Sequence, residues 1–284
     1  MAERNPKVNG EFLARTLERK RAEVDRLRTD TPESELRAAV AGLAPTRPWA
    51  DALGGATVGV IAEVKRRSPS AGALAGGVDP AQRARLYQSS GAAAVSVLTD
   101  SAFDGALEDL RVARARVSIP VLRKDFLVDP WQVWESRAAG ADAVLVIVAA
   151  VDDAALYAIA AAAREAGLGL LVEVHDPEEL ERAAGVAPAV LGVNARDLST
   201  LAVSTETARS TLHEARRLLG RPVVLVAESG IRGRDDVLAA AEAGADAVLV
   251  GEHLMRSTDP AQALAELTEV PVANAARDDS SSYI

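Results

Sequence analysis

Lysine is rare in this chain, and two of its four lysines stand in apolar surroundings. Lys65 closes the run VGVIAEVK and Lys124 lies in IPVLRKDF, whereas nearly all of the 32 basic residues are arginines. Burial can tune a lysine until it works as a general acid or base at neutral pH, which an arginine cannot do. The two lysines are therefore candidates for proton transfer.

Other side chains with acid, base or hydrogen-bonding chemistry stand at the ends of further apolar runs. Glu63 lies two residues before Lys65, so the two side chains share one face of an extended strand. The other candidates are Lys124-Asp125-Phe126, Glu173-Val174-His175, Asn194 with Arg196, Glu228-Ser229-Gly230, and Gly251-Glu252. Gathered at one place, these groups suit general acid–base catalysis. The alternative is a set of buried ion pairs that only specify packing.

Three short stretches predict a phosphate site. They are Ser68-Pro69-Ser70 with Gly72, Ser229-Gly230, and Gly251-Glu252. Hydroxyl groups and the backbone N–H groups of glycine-bearing loops are ordinary phosphate ligands. The alternative is that these glycines only serve tight turns.

Several kinds of site and partner are excluded or disfavoured. The 284 residues contain no cysteine, which excludes disulfides, thiolate metal sites and a cysteine nucleophile. His175, His213 and His253 show no metal-ligand spacing, and no G-x-S-x-G motif supports Ser-His-Asp hydrolysis. A net charge of −9 argues against nucleic-acid binding. No apolar run reaches the length of a membrane span, and the N-terminus is too polar for a signal peptide. We therefore expect a cytoplasmic protein that binds no metal, nucleic acid or membrane.

The candidates must be positioned by a repeated strand–helix pattern that begins after residue 55. Eight apolar, β-rich runs alternate with amphipathic helical segments, and they span 57–65, 93–99, 120–126, 141–149, 168–174, 189–195, 222–229 and 246–252. Repeated βα units with near-continuous apolar strands predict a parallel sheet covered by helices, and eight of them predict a closed (β/α)8 barrel. A doubly wound open sheet is the weaker alternative, because no G-x-G-x-x-G follows the first strand. In a barrel, the candidate residues at these strand ends converge at the catalytic face.

The first 55 residues do not follow this pattern. LARTLERKRAEVDRLRT is an amphipathic helix and ESELRAAVAGL predicts a second. We expect an N-terminal helical extension at 1–55, which either plugs the bottom of the barrel or caps its active face. The barrel is predicted at 56–270, within a single domain, and a frayed polar tail at 271–284.

With these residues assembled, the sequence resembles the indole-3-glycerol phosphate synthase family. The resemblance runs from the N-terminal helix to about residue 268. It is carried by IAEVKRRSPSAG, SVLTDSAFDG, PVLRKDFLVDPWQV, LLVEVHDPEEL, GVNARDLSTL, VAESGI and VLVGEHLM, in that order. It implies a decarboxylating and dehydrating ring closure of 1-(2-carboxyphenylamino)-1-deoxyribulose 5-phosphate, with no cofactor.

The resemblance also implies a role for each site residue. Lys124 would be the general acid, Glu173 would stabilise the iminium and assist proton removal, and Lys65 would hold the substrate carboxylate. The supporting polar residues would be Glu63, Asn194, Glu228 and Ser229, with Arg196 adding a positive charge. The phosphate would be held by Ser68, Gly230, Gly251 and the backbone at Glu252, and the anthranilate ring by Phe103, Phe126 and Leu198.

Two features of the sequence qualify these roles. Crowding by Lys65 and Arg196 would lower the pKa of Lys124, while Glu63 would raise it, so the sequence leaves the net direction open. Ala71 stands where the family often has a lysine, which predicts a modest loss of phosphate affinity.

Other functions compete with this interpretation. They are the same ring closure on a substituted anthranilate, a sister barrel enzyme acting on another phosphosugar, and a non-catalytic binding barrel. The sequence predicts a monomer or a weak homodimer.

Overall fold

Eight parallel strands close into a barrel, as the sequence predicts. The structure, a computed structural model, describes residues 7–68, 72–74, 77–198, 200–220 and 222–273, with side chains from residue 12 onward. The strands are β1 Gly59–Val64, β2 Ala94–Leu98, β3 Val121–Lys124, β4 Ala143–Ile147, β5 Gly169–Val174, β6 Val190–Asn194, β7 Val224–Glu228 and β8 Ala247–Val250. Each strand pairs with the next, and β8 closes the barrel by pairing with β1. Every strand of the barrel lies inside its predicted run, with its ends at most two residues from the predicted ones, whereas the short antiparallel pair Arg67–Ser68 and Gly72–Ala73 lies outside the predicted runs.

Twelve α-helices are assigned in the described part of the chain. Three precede the barrel: α1 Lys7–Asp30, α2 Glu33–Val40 and α3 Trp49–Leu53. The other nine are α4 Pro80–Ser89, α5 Leu107–Arg114, α6 Trp131–Ala138, α7 Asp153–Glu165, α8 Pro177–Ala184, α9 Thr205–Leu219, α10 Arg234–Glu242, α11 Glu252–Arg256 and α12 Pro260–Ala265.

Aspartate–proline pairs begin three of the helices outside the barrel strands. Asp79, Asp176 and Asp259 each accept a hydrogen bond from a backbone N–H of the first turn, and the proline that follows occupies the first helical position. Proline has no N–H to leave unpaired there, and its fixed φ suits a helix. These pairs fix where the chain turns from the catalytic face back down the outside of the barrel.

The N-terminal extension contacts both ends of the barrel. Lys20 of α1 is almost fully buried, and its Nζ lies 2.8 Å from Asp100 and 2.9 Å from Asp125, just after β2 and β3. Trp49 of α3 packs at the opposite end, where a Cβ added to Gly169 would lie 2.6 Å from the Trp49 Cβ. Gly169 begins β5, so only glycine leaves room for the indole.

At the amino-terminal rim of the barrel, the same arrangement of an aspartate, a strand N–H and an arginine occurs twice. The Asp142 carboxylate accepts from the Val121 N–H at 2.9 Å and pairs with Arg114 at 3.0 Å. The Asp246 carboxylate accepts from the Leu225 N–H at 2.9 Å and pairs with Arg216. Both aspartates follow a Gly-Ala pair at the end of a helix, in the repeated sequence GADAVLV. Each carboxylate therefore fastens the first residues of the preceding strand.

The chain after the last helix returns to the start of the barrel. Val272 donates its backbone N–H to the Ala56 carbonyl at 3.0 Å, and Pro271 forms an antiparallel bridge with Thr57. Most of the predicted tail, residues 274–284, lies outside the described residues. Within the described ranges, no helix is both long and apolar enough to cross a membrane.

Candidate active site

A cavity of about 650 Å³ opens at the carboxyl-terminal rim of the barrel, and it is lined by all fifteen residues to which the family resemblance gives a role. The polar ones at the strand ends are Glu63, Lys65, Lys124, Glu173, Asn194, Arg196 and Glu228. Neighbouring strands bring them together through the parallel register, in which Asn194 stands beside Glu228 and Ile147 stands beside Glu173. The remaining lining residues from the sequence are Ser68, Phe103, Phe126, Leu198, Ser229, Gly230, Gly251 and Glu252.

Lys124 lies between two buried carboxylates. Its Nζ donates to Glu173 Oε2 at 2.9 Å and to Glu228 Oε2 at 3.1 Å. Burial alone would lower the pKa of Lys124, but the charges of Glu173, Glu228 and Glu63 outweigh it and raise that pKa well above the ordinary value. The direction that the sequence left open is therefore set by these carboxylates and not by crowding from Lys65 and Arg196. Lys124 is fully protonated at neutral pH.

The pKa values of the two carboxylates beside Lys124 are shifted in opposite directions. Burial alone would raise the pKa of Glu173, but Lys124, His175 and Asn194 together hold it well below the ordinary range. Burial raises the pKa of Glu228 to about 8, and the negative charge of Glu173 adds to the effect while Lys124 opposes it. Near neutral pH the pair therefore holds one proton, and Glu228 carries it.

Two glycines make room for carboxylates of this cluster. A Cβ added at Gly192 would lie 2.2 Å from Glu228 Oε1, and one added at Gly251 would lie 2.1 Å from Glu63 Oε1. No protein carbon can approach an oxygen so closely without moving it. Gly251, which the sequence suggested as a phosphate ligand, thus also has a steric role beneath Glu63.

Lys65 is the second lysine of the cavity and has its own carboxylate. Its Nζ lies 2.5 Å from Glu63 Oε1, and the side chain is 16% exposed. The pair shares a face of the chain at the end of β1, as strand alternation predicts. The exposed part of Lys65 is open to the cavity, so a second anion can reach it.

The loops after β6, β7 and β8 form the end of the cavity where the sequence predicts phosphate binding. Ser229 has a φ of +65° and Gly230 a φ of +82°, which is the left-handed region. A serine rarely adopts this conformation, and such strain occurs mainly at functional sites. Arg196 reaches this end, where its Nη2 lies 4.0 Å from Glu252 Oε2. Ser68 follows β1, the neighbour of β8 in the barrel, and is buried where it lines the same cavity, while Pro69, Ser70 and Ala71 lie outside the described residues.

Aromatic side chains form an apolar wall of the cavity. The rings of Phe103 and Phe126 face each other with centroids 6.3 Å apart at 32°. Leu198 and Phe12 also line the cavity. Phe12 comes from α1 and was missed from the sequence, because a phenylalanine on an amphipathic helix predicts only packing.

Three more charged residues at the cavity were missed as site residues. Arg232 and Arg256 follow β7 and β8, at the end of the cavity near Ser229 and Glu252. Asp125 was noted at its strand end but given no role, and its carboxylate turns toward Lys20 of α1. The rarity of lysine was a usable signal for Lys20, since three of the four lysines take part in this region. Among the described residues, no three histidine, aspartate or glutamate side chains gather as a metal would require.

Known proteins match this chain over most of its length. The family model described as indole-3-glycerol phosphate synthase matches residues 13–267. The chain belongs to the indole-3-glycerol phosphate synthase family. Indole-3-glycerol phosphate synthase from Mycobacterium avium (strain 104) is 51% identical over 237 residues, which cover 82% of this chain and 85% of that protein. The protein of the same name from Mycobacterium tuberculosis (strain H37Rv) is 49% identical over 254 residues, covering 88% and 91%.

Membership of the indole-3-glycerol phosphate synthase family fixes the class of reaction. The chain is a carbon–carbon lyase of tryptophan biosynthesis that closes a ring with loss of carbon dioxide and acts on a phosphorylated small molecule. The sister phosphosugar enzymes and the non-catalytic barrel considered from the sequence are therefore set aside.

Proposed function

We propose that this cavity converts 1-(2-carboxyphenylamino)-1-deoxyribulose 5-phosphate to indole-3-glycerol phosphate, with Lys124 as the general acid. The observation that carries the proposal is the contact of Lys124 with both Glu173 and Glu228 at the centre of the cavity. Ring closure joins the ring carbon that bears the carboxylate to the ketone carbon. The ketone oxygen becomes an alkoxide, which is more basic than any amine and takes the Lys124 proton despite its raised pKa.

Glu173 and Glu228 have different roles in this proposal. Ring closure places a positive charge on the aniline nitrogen as an iminium, and the ionised Glu173 stabilises it electrostatically. Loss of carbon dioxide returns an electron pair to the ring. The new hydroxyl group then leaves as water with a proton from Lys65, and the adjacent carbon gives up a proton to the carboxylate pair. Glu228 already carries a proton near neutral pH, so the ionised Glu173 is the member of the pair that accepts this one.

The remaining residues bind and orient the substrate. We propose that Lys65 holds the carboxylate before it departs, with Glu63 orienting Lys65, and that Asn194 orients Glu173. Asn194 Nδ2 donates to Glu173 Oε1 at 3.0 Å, which supports this role. The phosphate lies at Ser68, Ser229, Gly230, Gly251 and the backbone of Glu252, with Arg196 as its counter-charge. Phe103, Phe126 and Leu198 hold the anthranilate ring.

The first test is to mix the purified protein with the synthetic substrate, in the presence of a chelator, and to follow indole fluorescence. Lys124→Ala is expected to fold and bind substrate but to lose about a hundredfold or more in turnover, the scale of a lost general acid. Circular dichroism checks the fold. Arg26→Ala, which removes an exposed cation of α1, is the control and is expected to keep full turnover. Near-normal turnover of Lys124→Ala contradicts the assignment. A flat trace from the unaltered protein points to a substituted anthranilate as the true substrate.

We propose further that the extension and the barrel form one domain of a cytoplasmic protein that is a monomer or a weak homodimer. The burial of Lys20 and of Trp49 against the barrel supports a single domain. Denaturation by urea is expected to give one cooperative transition, with coincident fluorescence and circular dichroism curves. Two separated transitions contradict this expectation.

A further inference from the structure

His175 is a largely buried histidine beside the proposed catalytic cluster, and the reaction as described does not use it. It follows β5, two residues after Glu173, and its side chain is 12% exposed. Its Nε2 lies 3.4 Å from Glu173 Oε1, and its Nδ1 lies 2.9 Å from Glu179 Oε2. Each ring nitrogen therefore faces a carboxylate.

This arrangement fits an imidazolium and does not fit a neutral ring. A neutral imidazole has one nitrogen that only accepts, which would place its lone pair against a carboxylate oxygen. The imidazolium presents an N–H at both nitrogens. Burial alone would lower the pKa of His175, but Glu173 and Glu179 outweigh it and raise that pKa to about 10.

Local structure fixes the far side of the ring. Glu179 lies in the first turn of α8, where Asp176 accepts from its backbone N–H at 2.9 Å. The Glu179 carboxylate accepts from the backbone N–H of His175 at 2.9 Å as well as facing its Nδ1. The ring is thus clamped by its own backbone and by α8, so its Nε2 can only point toward Glu173.

The contact between His175 and Glu173 acts through charge. At 3.4 Å the Nε2 makes no hydrogen bond to any residue that the structure describes, and it is buried. Glu173 Oε1 already accepts from Asn194, and Oε2 from Lys124. A cation at this distance lowers the energy of the carboxylate without taking a lone pair that the substrate or Asn194 needs.

The charges around Glu173 change during the reaction. The groups that face it are Lys124 from β3, Asn194 from β6, Glu228 from β7 and His175 from the end of its own strand. When Lys124 gives its proton to the substrate, Glu173 loses its largest favourable charge while the iminium still needs an anion. We propose that His175 is a positioning residue that keeps Glu173 ionised after Lys124 has released its proton. This proposal rests on the proposed role of Glu173.

The test is the pH dependence of kcat in His175→Gln, with His213→Gln as the matched control. His213 lies on α9 and is exposed. In His175→Gln the acid limb of the kcat profile is expected to move up by about one pH unit or more, because the pKa of Glu173 rises when a neighbouring cation is removed. At neutral pH we expect kcat to fall about tenfold while KM changes less than about twofold, since His175 does not touch the substrate. Glu179→Gln keeps the imidazole ring but removes a carboxylate that favours its charged form. It should therefore shift the acid limb of the kcat profile in the same direction, but by less.

Other outcomes separate this proposal from the one on which it rests. If Glu173→Gln keeps normal turnover, the role of Glu173 is wrong and the proposed function fails at that residue. If Glu173→Gln is inactive but the profiles of His175→Gln and Glu179→Gln superimpose on the unaltered one, the proposal for His175 is overturned. A merely structural role for His175 lowers the melting temperature and leaves the acid limb where it was. Should His175→Gln not fold, the shift in Glu179→Gln decides the question.

Discussion

Asp142 and Glu173 are buried carboxylates at opposite ends of the same barrel. Asp142, at the amino-terminal rim, accepts from the backbone N–H groups of Val121 and Arg47, both at 2.9 Å. Glu173, at the carboxyl-terminal rim, lines the cavity, and its hydrogen-bond partners among the described residues are side chains. The neighbouring Glu228 leaves its Oε1 without a hydrogen bond from any described residue. A carboxylate that binds backbone holds the fold, whereas one held by side chains beside a cavity is free to serve a substrate.

Glu173→Gln is the change expected to have the largest effect on activity. It keeps the shape of the side chain and removes the charge that faces the iminium. We expect kcat to fall about a hundredfold or more. The melting temperature should stay within a few degrees, since no backbone contact is lost. Steady-state fluorescence kinetics and a thermal melt measure the two quantities. If the variant is inactive and also strongly destabilised, Glu173 contributes to stability as well as to activity, and the difference claimed between the two rims is wrong.

Asp142→Ala is the reverse case at the other rim. It leaves Arg114 and Arg47 without their carboxylate and frees the Val121 N–H, so we expect a loss of about 3 kcal/mol in the free energy of unfolding. The kcat of the folded fraction should be unchanged. Urea denaturation measures the loss, and Asp30→Ala, which removes an exposed aspartate of α1, is the control. A drop in kcat without destabilisation would show that this rim also affects the chemistry.

Glu228→Gln tests the comparison through the pH dependence of the free energy of unfolding. Its effect per pH unit is smaller than the loss expected for Asp142→Ala. The pKa of Glu228 is raised by folding from 4.5 to about 8, so the native state holds a proton that the unfolded state has released. Between pH 4.5 and about 8 the contribution of Glu228 to the free energy of unfolding therefore falls as pH rises, by at most about 1.4 kcal/mol per pH unit. Glu228→Gln has no such proton, so its free energy of unfolding should fall less steeply between those values. Parallel curves for the two proteins contradict the raised pKa.

The fold and the residues that line the cavity could be predicted, because both depend on the periodicity of apolar residues in the sequence. Apolar runs place each strand, and strand alternation places Glu63 beside Lys65. Charges within apolar runs can only point into the cavity once the barrel is assumed. The same reasoning located Lys124, Glu173 and Glu228 at one rim.

The electrostatics of the site could not be predicted, because they depend on distances across the barrel. Crowding of Lys124 by Lys65 was considered, yet the groups that bond to it are Glu173 and Glu228, which come from strands distant in sequence. The burial of Lys20 likewise depends on where α1 docks, and an amphipathic helix does not specify its docking site. For His175, sequence gives proximity to Glu173 but not the clamp from Glu179.

The repeated Gly-Ala-Asp sequence also relates one half of the barrel to the other. Asp142 precedes the fourth strand and Asp246 the eighth, and each fastens the strand before it. One offset along the chain carries Asp142 onto Asp246, Val121 onto Leu225, and Lys124 onto Glu228. The proposed acid and the carboxylate 3.1 Å from it are thus pseudosymmetric counterparts that meet across the barrel axis. One position has come to carry a positive charge in the first half of the molecule and a negative charge in the second.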